Sequence, residues 1–234
     1  MSYDLNSIYS AFENRFDNPN VQYHHARANR KLVGTIAFNV APLITCDDCT
    51  HETCATHGCY AIKNMLCHGY DIEKNNCLRA WIDNAIMLIA ETDTYFENVR
   101  KDIKSFKRKN DKKNRLTFVR VHASGDFYSP AVMRKWFEIA NEFSDVYFLA
   151  YTKRYKFVLE NIDIVPANFS LIISAWNGLQ IPEELIKRFP VAYVNDDVRK
   201  NKSVCKFVCP GSCDGCKMCW YALAKHFDIE FIKH

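Results

Sequence analysis

"LTFVRVHASGDFYSPAVMRKWFEIANEFSDVYFLAYTKR", Leu116 to Arg154, is the stretch that decides the fold. Leu116 to His122 reads as a buried strand, Pro130 to Phe143 as a helix, and Val146 to Tyr151 as a second strand. A strand, a helix and a strand in this order form a βαβ unit, whose strands run parallel through a right-handed crossover.

The same alternation extends both ways. Downstream lie helical stretches at Lys156 to Ile162 and Pro182 to Arg188, and short strands at Phe169 to Ser174 and Val191 to Asn195. Upstream, Lys31 to Thr45 reads as a buried strand that runs straight into a cysteine cluster. Between them, Leu78, Trp81, Ile82, Ala85, Ile86 and Ile89 recur at helical spacing, and so do Tyr95, Phe96, Val99, Ile103 and Phe106. Thr94 and Glu97 stand as a capping box, which predicts that the second of these helices starts there. Leu5, Ile8, Tyr9, Phe12 and Phe16 predict an outer amphipathic helix that ends near Asn18-Pro19.

The expected fold class is therefore α/β, a parallel-stranded partial (β/α) barrel of five or six units with a cysteine-rich C-terminal segment. Residues 1–30 form an N-terminal helical extension, 31–204 the partial barrel, and 205–234 a metal-binding segment with a terminal helix. In such an architecture the loops at the carboxyl ends of the strands build the site.

Of 234 residues 48% are hydrophobic, enough for a core without a disulfide scaffold. The first residues lack a basic and apolar leader, and no run reaches the roughly 18 apolar residues of a membrane span. These features predict a cytoplasmic protein with no membrane partner. In a reducing compartment, eleven cysteines point to metal rather than to disulfides.

Nine of the eleven fall in two windows. Cys46, Cys49, Cys54 and Cys59 are spaced x2, x4 and x4; Cys205, Cys209, Cys213, Cys216 and Cys219 are spaced x3, x3, x2 and x2. Thiolates this dense repel one another unless a cation or cluster draws them together. Structural zinc usually takes two separated pairs, whereas the last three cysteines step as in bacterial ferredoxins, which favours iron-sulfur over zinc. His51 and His57 are expected outside the ligand set, and Cys67 and Cys77 as small buried hydrophobes.

Polar residues gather at three strand ends. Ser124-Gly125-Asp126 is a turn that can offer backbone groups and a carboxylate, and strand alternation places Arg120 and His122 on the face of Ser124. Tyr151, Thr152 and Lys153 end the next strand, and Ser174 to Trp176 the one after, which together suggest a small-molecule site. Arg100 to Arg115 carries nine Lys or Arg against two Asp, a stretch that reads either as a wet helix end or as a phosphate contact.

"CATHGCYA", "RVHASGDFYSPAVMRKWFEIA", "VYFLAYTK" and the terminal "CP…C…C…CW" resemble the gene-product-88-like family of phage and mobile-element proteins, from about Thr35 to Trp220. The resemblance implies a host-cell setting. More distantly, the arrangement resembles radical S-adenosylmethionine enzymes. That resemblance implies a [4Fe-4S] cluster on Cys46 or Cys49 with Cys54 and Cys59, one iron being left open. It also implies Ser124-Gly125-Asp126 in place of a Gly-Gly-Glu turn for the methionine amino group, and polar contacts from the later strand ends. An electron donor would then be a partner, and the C-terminal cysteines would carry a second cluster or zinc. The loop departs from the usual Cys-x3-Cys-x2-Cys spacing, and the acid is Asp rather than Glu. Two functions follow as expectations: a radical-type iron-sulfur enzyme on a nucleotide, nucleic-acid or other substrate, and a metal-stabilised nucleic-acid-binding module without catalysis.

Overall fold

The computed structural model describes residues 4–26, 32, 34–46, 59–176, 178–194 and 206–232. Along the chain run α1 (Leu5–Phe16), β1 (Ile36–Asn39), α2 (Tyr60–Met65), α3 (Asn76–Ala90), α4 (Thr92–Asp111), β2 (Thr117–Ser124) and α5 (Pro130–Glu142). They are followed by β3 (Val146–Thr152), α6 (Tyr155–Glu160), β4 (Phe169–Ser174), α7 (Glu183–Arg188), β5 (Val191–Val194), β6 (Lys206–Val208), α8 (Ala222–Lys225) and β7 (Asp228–Phe231). The seven strands form one open sheet in the order β1-β2-β3-β4-β5-β7-β6, and every neighbouring pair is parallel. The expected α/β class with a parallel, unclosed sheet holds.

Strand periodicity sorts the core into two sides. Val119, Val121, Phe148, Ala150, Leu171 and Ile173 face the helices and pack with residues such as Ile82, Phe96, Trp136 and Phe137. Their neighbours Phe118, Leu149 and Ile172 face the other way, against Cys219, Trp220, Ala222 and Phe227 of the C-terminal segment. Trp220 fastens that cover by donating its indole N–H to the Val119 carbonyl at 2.9 Å. Ser170 Oγ donates to the Cys219 carbonyl at 2.7 Å.

Local chemistry accounts for the helix starts. Ser129 caps α5 through the Val132 amide, with Pro130 at the first position, where its missing N–H costs nothing. Asn75 caps α3 through the amides of Cys77 and Leu78. The capping box expected at Thr94 is not used: α4 begins at Thr92 without a side-chain cap, and Thr92 Oγ1 donates instead to the Leu88 carbonyl. The chain turns on Glu91 alone, so Thr94 already lies inside the helix.

Two further expectations change. The strand predicted over Lys31 to Thr45 is four residues long, because beyond Asn39 the chain winds into a loop with Leu43 at φ +71°. Cys67 is exposed and Cys77 half-buried, so neither is a core residue. The sheet also gains β6 and β7, three and four residues with no long apolar run to announce them.

The N-terminal helix is tied down by charge. Asp83 of α3 is fully buried and accepts from Arg15 Nε at 2.6 Å and Nη2 at 2.9 Å, with His24 Nε2 at 2.9 Å. Removing one partner strands a buried guanidinium, so Asp83→Ala is expected to cost about 3 kcal/mol in denaturant unfolding. A loss below 1 kcal/mol would show that water reaches the pair.

Candidate metal and ligand site

The carboxyl ends of β1, β2, β3 and β4 meet at one mouth, and the Ser124-Gly125-Asp126 turn is its hub. β2 departs from β1 pairing here: Ala37 lies opposite Arg120, but Asn39 lies opposite Ser124. Within the irregular stretch His122 takes φ +48°, and just past it Gly125 turns the chain at φ +78°. At Gly125 the backbone packs so tightly that a Cβ would stand 2.5 Å from Val40 Cγ2 and 2.6 Å from Thr45 Oγ1.

That close approach welds the turn to the loop after β1. Thr45 Oγ1 donates to the Ala41 carbonyl at 3.0 Å and accepts from the Asp126 amide at 3.2 Å. On the return from the cysteine loop, Tyr60 donates its hydroxyl to the Ala123 carbonyl at 2.5 Å. Cys46 and Cys59, the first and last cysteines of the loop, therefore both stand against β2. Burial pushes the Cys46 thiol up to about 12, with the negative charges of Asp126 and Cys59 adding to it and Lys153 opposing. Cys49 and Cys54, and the histidines His51 and His57, lie outside the described residues.

Asp126 is buried and accepts three hydrogen bonds. Oδ1 takes the Thr152 hydroxyl at 2.7 Å and its own neighbour's amide, Phe127 N, at 2.8 Å; Oδ2 takes the Lys153 amide at 2.9 Å. Burial raises its proton affinity, and these bonds offset only part of that rise. The carboxylate locks the end of β2 onto the end of β3. The Lys153 ammonium lies over the Trp176 ring at 4.8 Å, so a cation and an indole plane border the same mouth. Ser174 contributes its carbonyl, which accepts the Tyr155 hydroxyl at 2.5 Å. Ser124 Oγ is buried and has no hydrogen-bond partner among the described residues.

The residues expected in one cofactor pocket separate into three places. Ser124, Gly125, Asp126, Thr152 and Ser174 are at the mouth with Cys46 and Cys59. Arg120 and Tyr151 face the C-terminal segment: the guanidinium stacks on the Tyr151 ring at 4.3 Å, and Tyr151 packs in one cluster with Cys219. His122 is on neither, a correction to the expected alternation. Its positive φ turns the ring toward the helices, edge-on to Phe127 and Trp136 at 5.3 and 5.7 Å. Desolvation there pushes its pKa down to about 3, so it is neutral.

Lys153 and Trp176, already singled out at the ends of the second and third of these strands, border the same mouth, where strand becomes loop. Thr45 was legible only as the end of a strand, since its partner lies 81 residues away.

The family described as gene product 88 matches residues 16–207, which takes in the cysteine loop, the mouth and strands β1 to β5. The chain belongs to the gene product 88 family. Within it, the gene 88 protein of Mycobacterium phage D29 is 28% identical over 93 residues, which make up 40% of this chain. The match covers about a third (33%) of that phage protein's length. No solved structure matches the chain. Gene product 88 membership fits a phage setting, and among the described residues no helix is long and apolar enough to cross a membrane.

Proposed function

We propose that this gene product 88 protein is an iron-sulfur protein whose cluster is held by the cysteine loop at the mouth, beside a site for an anionic small molecule. The observation that carries the reading is the convergence of Cys46 and Cys59, which flank Cys49 and Cys54 in the sequence, on the Ser124-Gly125-Asp126 turn. Among the described residues no three His, Cys, Asp or Glu side chains form a group that would hold an ion as they lie. The two central thiols of this loop are outside that set. Soft thiolates fit iron-sulfur chemistry, which supplies one-electron transfer and an open iron where only three thiolates bind.

The protein's part is positioning. The half-buried Cys46 thiol, its pKa raised to about 12, stays protonated until metal displaces the proton, so loading at this position falls with acidity. Lys153 is placed for a carboxylate or phosphate and Trp176 for a planar group, which favours a nucleotide-like ligand. S-adenosylmethionine fits less well: the Asp126 carboxylate that would take its ammonium already accepts three hydrogen bonds within the fold.

The test is anaerobic purification with iron, sulfide and zinc counts and an absorption spectrum with and without added S-adenosylmethionine. Brown protein with equal iron and sulfide, and loss of most of that iron in Cys59→Ala, is the expected result. Colourless protein holding zinc alone would overturn it. A catalytic role additionally requires an electron donor, which a reducible cluster would reveal. The competing nucleic-acid reading weakens at α4, where Arg100 and Lys104 pair with Glu142, and Lys107 with Asp111 and Asp145. Binding to single-stranded DNA at graded salt would expose it.

A further inference from the structure

We propose that Cys209, Cys213, Cys216 and Cys219 form a separate four-thiolate metal centre on the sheet face opposite the helices, with Arg120 as its buried counter-charge. This centre does not depend on the cluster at the mouth.

Arg120 is the first reason. It is 8% exposed, rises from the middle of β2, and its Nη1 has no hydrogen-bond partner among the described residues. A buried guanidinium with an unmet donor is unfavourable unless an anion faces it. Its guanidinium stacks on the Tyr151 ring at 4.3 Å, and Cys209, Cys213 and Cys219 pack in the same cluster as that ring, where the Arg120 charge favours the thiolate form of Cys213 and Cys219 and each thiolate disfavours the next. Neutral thiols would answer Arg120 poorly, whereas metal-bound thiolates would answer it well.

Donors for bound thiolates are already in place. The Gly211 amide donates to Cys209 Sγ at 3.4 Å, and Tyr151 packs beside Cys219 with its hydroxyl favouring the thiolate. The segment is pinned at both ends, by the Cys209 amide on the Glu230 carbonyl at 2.8 Å and by Ser170 on the Cys219 carbonyl at 2.7 Å. Cys213 and Cys216 lie on the span between those pins and are half-buried.

Charge closes the argument. A divalent ion with four thiolates carries a net charge of about −2, and a [4Fe-4S] cluster with four thiolates carries the same in its usual state. Arg120 supplies one positive charge. Lys217, whose Nζ lies 5.7 Å from the centre of the Trp220 ring and bonds the Cys213 carbonyl, supplies the second. Without an ion the thiols have no reason to converge, and as they lie no three form a ligating group. Binding draws them in and releases their four protons.

The test uses the full chain carrying Cys54→Ser and Cys59→Ser, which disables the mouth, stripped of metal and titrated with cobalt(II). The expected result is one cobalt per chain with the intense visible bands of a tetrahedral thiolate complex. Adding Cys213→Ser and Cys216→Ser should abolish them. Arg120→Met should release cobalt to a chelator at least about tenfold faster, because second-layer partners of metal ligands have effects of that size. No tetrahedral spectrum, or one that survives the serine changes, would overturn the centre; unchanged release in Arg120→Met would overturn the role of Arg120. Zinc or iron with sulfide in the protein as purified tells which dianionic form it holds. Iron lost on Cys59→Ala alone, with the cobalt site intact, separates the mouth from this centre.

Discussion

Gly125→Ala is expected to cost about 4 kcal/mol or more in chemical denaturation and to strip the mouth of metal. Two effects add at this position. A side chain at φ +78° is strained by about 1 to 2 kcal/mol, since the left-handed region crowds Cβ against the following carbonyl. The larger effect is collision: the new methyl would meet Val40 Cγ2 at 2.5 Å, Thr45 Oγ1 at 2.6 Å and the Val40 carbonyl oxygen at 2.9 Å. A flexible side chain could yield, but the backbone carbonyl cannot move without dragging the loop that leads to Cys46. The Asp126 amide then loses Thr45, and the register between cysteine loop and turn is lost with it. Gly34→Ala isolates the strain alone, because Gly34 has φ +73° with nothing within 4 Å of its Cβ position. A loss of about 1 kcal/mol is expected there. Equal losses in the two variants would mean that the turn and the loop are not in contact, and the geometry of the mouth would have to be rebuilt.

How much of this was legible in the sequence follows from which forces are local. The five principal strands and most helices are set by apolar periodicity and by caps such as Ser129-Pro130, which act over a few residues. The gathering of functional groups at strand ends follows from parallel topology alone. Three things were not local. His122 departs from alternation because β2 fits two more residues than β1 between matched positions, and neither strand shows this by itself. Asp126 was legible as a ligand carboxylate, but its partners Thr152 and Lys153 belong to the next strand end, and they make it a brace. Arg120 and Tyr151 are drawn to the cysteines by β7 and the Trp220 anchor, a contact 101 residues apart for Trp220 and Val119.

Acid should destabilise this protein through His122, and His122→Phe should remove that dependence. The imidazole is buried between Phe127 and Trp136, and neither ring nitrogen has a hydrogen-bond partner among the described residues. Desolvation, helped by the nearby Arg120 charge, pushes its pKa from 6.5 down to about 3. Between those values the unfolded chain binds a proton that the folded chain refuses, so stability falls as pH drops below 6.5 and stops falling near 3. The slope approaches about 1.4 kcal/mol per pH unit, which is about 2.5 kcal/mol lost by pH 4.5.

Two carboxylates also titrate near this window and must be kept apart. Asp126, raised by burial, holds its proton to a higher pH when folded than its ordinary 3.8, so it favours the folded state on the acid side and that contribution fades as pH rises through the folded value. Asp83, lowered overall because its bonds to His24 and Arg15 outweigh burial, contributes stability above 3.8 that is lost as pH falls. Both are present in wild type and variant, so the difference between the two proteins isolates His122. Phenylalanine keeps an aromatic edge toward Trp136 and has nothing to protonate. Unfolding by urea at pH 7 and pH 4.5 should show the variant gaining on wild type by about 2.5 kcal/mol between the two conditions, whatever its absolute stability. Parallel profiles would mean that the ring reaches water or a partner in the folded state, and that the turn at φ +48° directs it into the mouth instead of the core.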